Sequence, residues 1–140
     1  MHSNQKSKLF VASVAAIGFL LVSAVAQAHH GANLFDMSKA TELKGTITKF
    51  QWGNPHNQIF FDVTDDKGNV AHWVAYTEPP LVMLERGWTV KSLSAGQKVT
   101  VFIFAAKNGA TVGNLGKIVF SDGKELVANN IPGAAAPAPR

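Results

Sequence analysis

The sequence predicts an all-β fold with one short helix, a small five- or six-stranded barrel following an N-terminal signal peptide. Three observations predict it. From Glu42 onward, short apolar runs alternate with turn signals at intervals of about ten residues, the rhythm of an all-β chain. A single segment, EPPLVMLERG (78–87), breaks that period and reads as helix. Ahead of both lies the uncharged run LFVASVAAIGFLLVSAVA, Leu9 to Ala26.

That run follows Lys6 and Lys8 and closes on Ala26-Gln27-Ala28, so a basic start, an apolar middle and a small-x-small end fall in order. Cleavage after Ala28 is expected, with an uncleaved membrane anchor as the alternative that the run's length allows. Either way the domain is exported to the periplasm. Removing residues 1–28 takes away two of the 13 basic residues and none of the 9 acidic ones, leaving a charge of about +2 with neutral histidines. That is too mild to argue for a nucleic-acid partner. There is no cysteine, which excludes thiolate metal sites, redox pairs and cysteine nucleophiles.

Residues 29–42 show no clear period and read as an extended lead-in. The barrel domain is expected over 43–129. In LKGTITKFQW (43–52), Leu43, Gly45 and Ile47 share one face while Phe50 and Trp52 lie on the other phase, which requires a bulge or sharp bend. GNP (53–55) is a turn, and NQIFFDV (57–63) is a second strand with Ile59, Phe61 and Val63 on one side. TDDKGN (64–69) makes a hairpin loop, and VAHWVAYT (70–77) returns as the third strand. The helix over 78–87 opens on prolines and stops at Gly87. GWTVKSLSAGQ (87–97) is an irregular connection and KVTVFIFAA (98–106) the strongest strand. KNGATVGN (107–114) reads as a glycine-rich loop, LGKIVFSDG (115–123) as strand and turn, and KELVAN (124–129) as a short last strand. The Ala/Pro tail, 130–140, is expected to be disordered. Three strands, a helix and then two or three strands is the order of a barrel of the oligonucleotide/oligosaccharide-binding (OB-like) type. A small open β-sandwich or roll is the competing topology.

The residues that carry chemistry are histidines. Cleavage after Ala28 makes His29 the new terminus, whose α-amine and imidazole can chelate one ion together, with His30 or a distant histidine completing a nitrogen-rich set. Such a set favours copper(II). Cleavage after Ala26 instead begins the chain Gln27-Ala28-His29, where an amine, two amides and the third residue's imidazole surround copper in a plane. The alternative is that both rings are simply polar residues near an exported terminus. His56, in WGNPH (52–56), is either a further ligand or a turn residue bonded to a nearby backbone group. His72 can be weighed by register. If the second and third strands pair around a loop centred near Asp66 and Lys67, His72 lies opposite Asp62 and His56 near the level of Tyr76 or Thr77. At about 3.3 Å per residue the two histidines then stand more than about 10 Å apart and cannot share an ion. His72 with Asp62 reads as a cross-strand polar pair.

Other constellations are weak. Asp65 and Asp66 sit in a hairpin loop, where aspartates suit the turn. No G-x-S-x-G nucleophile elbow and no phosphate-binding loop is present. Phe60, Phe102 and Phe104 are read as core or partial-core residues rather than a stacking platform for single strands.

An ordered series of motifs resembles a family of small exported bacterial proteins known as a domain of unknown function. The series is HHG at 29–31, L-x-G-T at 43–46, W-x-NPH at 52–56, HW at 72–73, L-x-x-G-W at 84–88 and L-x-x-G-Q-x-V-T-V at 93–101, with NG at 108–109 and DGK-x-L at 122–126. The resemblance implies a periplasmic β-barrel and supplies no activity. It directs attention to His29, His30 and His56. Its members carry an aromatic residue or serine after NPH, where Asn57 and Gln58 stand here.

The leading expectation is therefore an exported binding module that holds copper or a similar metal ion through His29, its amine and His30, with His56 as the further ligand. The alternative is a metal-free structural or protein-interaction module of the periplasm, meeting an unknown exported partner. An enzyme is the least supported class, because no acid, base and nucleophile can be assembled from anything except histidines; an oxidative copper enzyme would require the cleaved amino terminus.

Overall fold

The computed structural model describes residues 34–133. The chain divides into two units, Met1–Leu34 and Phe35–Arg140, and the barrel occupies the second. The expected signal segment, His29, His30 and residues 134–140 lie outside the described residues.

Among the described residues, six strands and one helix follow in the expected order: β1 (Thr41–Gln51), β2 (Gln58–Thr64), β3 (Val70–Tyr76), α1 (Pro80–Glu85), β4 (Lys98–Ala105), β5 (Val112–Phe120) and β6 (Glu125–Val127). They pair in the order β3-β2-β1-β4-β5-β6, and a parallel β3–β5 pairing closes the first five strands into a barrel, with β6 as an extra strand. The barrel, not the open sandwich or roll, is the fold.

β1 works twice, pairing with β4 through its first half (Thr41↔Ile103 to Thr46↔Lys98) and with β2 through its second (Thr46↔Asp62 to Gln51↔Gln58). The phase switch read in its sequence is a bulge: the register shifts between Ile47 and Lys49, so Ile47 is buried and Phe50 still turns inward. One extra residue turns the strand through the barrel's corner, which is what a bulge does to a sheet. Gly45 lies at the close approach of β1 to β2, where a Cβ would stand 2.8 Å from the Asp62 carbonyl oxygen.

The core holds Ile47, Ile59, Phe61, Val101, Ile103, Leu115 and Ile118 from the strands, with Met83 and Trp88 closing one end. α1 ends as its sequence foretells. Gly87 takes φ of 82°, its N–H donates to Leu84 O at 3.0 Å, and Trp88 N–H donates to Met83 O at 3.0 Å. This paired closure satisfies carbonyls the helix would leave open, and it needs a left-handed residue that glycine supplies without strain. It also delivers the Trp88 ring into the core, where the indole N–H donates to Val127 O at 2.8 Å and ties the helix end to β6. The Arg86 guanidinium adds a bond to Ala128 O.

Several boundaries differ from the sequence reading: β1 begins at Thr41, inside the expected lead-in, and α1 spans Pro80–Glu85 rather than 78–87. β5 begins at Val112, so the glycine-rich stretch 107–114 is a loop only in its first part. Gly113 belongs to the strand because a Cβ there would stand 2.6 Å from Ile103 Cγ1 and 2.5 Å from Phe104 O, and only glycine lets β4 and β5 approach. Phe104 is buried outside the main core cluster, while Phe60 and Phe102 are half-buried under Lys49 and Lys117.

Candidate functional site

The WGNPH segment forms the β1–β2 connection, and its anchor is the residue that follows it. Asn57 is buried, 1% exposed, and every polar atom of its amide is used. Its Oδ1 accepts from Gly53 N–H at 3.0 Å, and its Nδ2 donates to Thr77 Oγ1 at 3.0 Å and to Glu78 O at 2.9 Å. A backbone bond from Thr77 N–H to Asn57 O, 3.1 Å, runs beside them. Turn 53–57 is thus pinned to the junction of β3 and α1. The Asn54–Pro55 peptide is cis. Trp52 packs edge-on against Phe50 at 5.7 Å between ring centroids, which joins the front of the turn to the core.

This frame presents His56. The ring is exposed, and its Nδ1 lies 3.0 Å from Thr77 O. A carbonyl oxygen can only accept, so Nδ1 carries the proton and donates. In the neutral ring the lone pair is then on Nε2, away from the bonded side. That is the tautomer a metal-ligating histidine adopts when its other nitrogen is held by a backbone carbonyl.

His72 stands where the register reading put it. Asp62↔His72 is one of seven pairs in the β2–β3 ladder, and His72 Nδ1 donates to Asp62 Oδ1 at 2.7 Å. The same ladder runs to Gln58↔Tyr76, and His56 lies two residues beyond it. The rings are therefore separated by several rungs of about 3.3 Å each. His72's side chain is 82% exposed, so this is a surface pair worth about 0–1 kcal/mol.

Of the expected metal ligands, only His56 lies among the described residues, and no group of three or more His, Asp or Glu side chains converges there on one point. In the β2–β3 loop, Asp65 accepts from Asn69 Nδ2 at 2.8 Å, from Asn69 N–H at 2.8 Å and from Lys67 N–H at 2.9 Å. The Asn69 side-chain bond is the largest cause holding this carboxyl below the ordinary aspartate value. These are turn bonds that fix the hairpin.

Two features escaped sequence reasoning. Asn57 was visible only as a departure from a motif, yet it builds the turn. The other is a shallow groove of about 380 Å³ on the outer face of the sheet, lined among others by Lys44, Thr46, Asp62, Lys98, Thr100 and Ser121. Strand alternation assigns Lys44 and Thr46 to the outer phase, but only the β1–β4 register brings Lys98 beside them.

No curated protein and no solved structure matches this chain. The model of one family, described as a family of unknown function (DUF6152), matches residues 17–115, which is most of the chain and includes the lead-in, the NPH turn and all the strands through the start of β5. The chain belongs to this family of unknown function.

Proposed function

We propose that this protein is an exported barrel that binds copper(II) or a similar divalent ion, with His29 and His30 as donors on the liberated amino terminus and His56 as the donor the barrel supplies. The observation that carries the reading is the contact of His56 Nδ1 with Thr77 O at 3.0 Å on an exposed ring, which assigns the proton to Nδ1 and the lone pair to Nε2. An imidazole fixed in this way loses little ring freedom on binding an ion, and its carbonyl partner raises its basicity as a ligand. The N-terminal donors contribute a backbone amine beside an imidazole, the combination that copper(II) takes in preference to the other divalent ions.

The test begins with the mature amino terminus, read by mass spectrometry, followed by titration of tag-free protein with copper(II) and zinc(II). The proposal requires one equivalent of copper bound more tightly than about micromolar, equivalent to about 8 kcal/mol. Replacing His29 and His30 by alanine abolishes that binding, His56→Ala weakens it, and His72→Ala leaves it in place. A mature chain that starts past His30, or that binds neither ion, refutes the reading.

A second reading is a metal-free interaction module. It draws on Leu81, Leu84 and Val90, which are 73%, 52% and 61% exposed on α1 and the connection after it. Recovery of a stoichiometric exported partner with and without a chelator, from protein that binds no ion, would favour it.

A further inference from the structure

We propose that the outer-face groove over β2, β1, β4 and β5 is a binding site for an acidic sugar, a ligand that carries hydroxyl groups beside one anionic group. Register builds it. Asp62, Thr46 and Lys98 lie side by side in one row across three strands, and Lys44 and Thr100 form the next row on the same face. All five line the groove, together with Ser121 at its far wall. Asp62 and Lys98 are separated by two strand spacings, about 10 Å, which one sugar ring and its substituents can bridge.

The charges identify the ligand. Four lysines lie on the strands: Lys44, Lys49, Lys98 and Lys117. Lys117 bonds Glu125 at 2.7 Å and lies over the Phe102 ring, and Lys49 lies over Phe60 at 5.5 Å. Lys44 and Lys98, the two in the groove, have neither a carboxylate nor a ring partner among the described residues. Two ammonium groups that make no ion pair among the described residues, on diagonal positions of neighbouring strands, attract an anion. A bare anion would also meet Asp62. Asp62 is bonded by His72 through Oδ1 and, as a carboxylate, still has capacity to accept from a hydroxyl. Hydroxyl donors opposite Asp62 and negative charge opposite the lysines satisfy the groove together, and Thr46, Thr100 and Ser121 add short hydroxyl partners between them. The charge can be a sugar carboxylate or a sugar phosphate, since both meet the same ammonium groups.

The experiment maps amide shifts by NMR on isotope-labelled protein expressed from the full sequence and purified in the form the cell produces. The probes are galacturonate trimer, glucose 6-phosphate, glucose and inorganic phosphate. One of the two acidic sugars should shift Lys44, Thr46, Lys98 and Thr100 and bind about tenfold or more tightly than glucose or phosphate; which one does so names the source of the charge. Replacing Lys44 and Lys98 together by glutamine, exposed changes that leave the spectrum folded, should weaken binding at least about tenfold, and Asp62→Asn should weaken the sugar while leaving phosphate unaffected or stronger. Shifts centred elsewhere, equal binding of phosphate or of glucose, no binding by either acidic sugar, or unchanged affinity in the double variant would each overturn the assignment.

Discussion

The imidazole of His56 donates through Nδ1 to the carbonyl of Thr77, 3.0 Å away and at the far end of β3. This bond links the NPH turn to the start of α1 and decides which ring nitrogen faces outward. Its geometry rests on Asn57 next door, which holds Thr77 and Glu78 with its amide. The exposed histidine is thus positioned by a buried neighbour.

Replacing Asn57 should therefore be costly. Asn57→Ala leaves Gly53 N–H without its side-chain acceptor and opens a small buried void, and unfolding by urea should show a loss of about 2–4 kcal/mol. Asn57→Asp keeps the acceptor for Gly53 but turns an oxygen toward Glu78 O, and should destabilise to a similar degree. His56→Ala removes one exposed bond and should cost less than about 1 kcal/mol.

Glycine substitutions separate close packing from free turns. Gly113→Ala pushes a methyl group into Phe104 O and Ile103 Cγ1, at 2.5 and 2.6 Å, and should cost about 2–3 kcal/mol. Gly53→Ala meets nothing within 4 Å and should stay within about 0.5 kcal/mol of the parent. Thermal unfolding of the two variants side by side checks both.

Trp88 joins α1 to β6 in two ways that mutation can distinguish. Trp88→Phe keeps most of the ring and loses the indole bond to Val127 O, for an expected cost of about 1–2 kcal/mol. Trp88→Ala also empties the end of the core, for about 3–5 kcal/mol. If the two variants were equally destabilised, the ring's packing would count for nothing.

Asp65 supplies a pH dependence with a definite sign. Its bonds to Asn69 and Lys67 hold the folded pKa below the unfolded one. The stability it contributes is therefore present above the ordinary aspartate value and is lost as pH falls through the lower, folded value. A carboxyl titration by NMR should place Asp65 below the usual aspartate range, and Asn69→Ala should raise it.

What sequence could reveal followed from how local each signal is. The β1 bulge shows within the four residues from Ile47 to Phe50, because the two ends cannot share a face without it. The Asp62↔His72 register follows from one short hairpin loop, and the end of α1 from Gly87 alone. Asn57 stayed hidden because its partners Thr77 and Glu78 lie 20 and 21 positions away, and a polar residue after a proline turn reads as solvent-facing. Lys44 and Lys98 were hidden for the same reason, since pairing β1 with β4 is a tertiary event. Gly113 misled through its surroundings. Beside Gly109 it reads as loop, yet it is strand because Ile103 leaves no room for a side chain. His29 and His30 rest on sequence alone.

The central claim is that His56 supplies Nε2 to an ion. Nitrogen-15 spectra of the histidine rings, recorded while zinc(II) is added as a diamagnetic stand-in for copper(II), test it directly. His56 should be Nδ1-protonated before any ion is added, and its Nε2 resonance should move to a metal-bound position at one equivalent, with His72 unchanged. A His56 ring protonated on Nε2 at the outset, or one that stays unmoved while the protein saturates with zinc, would contradict it.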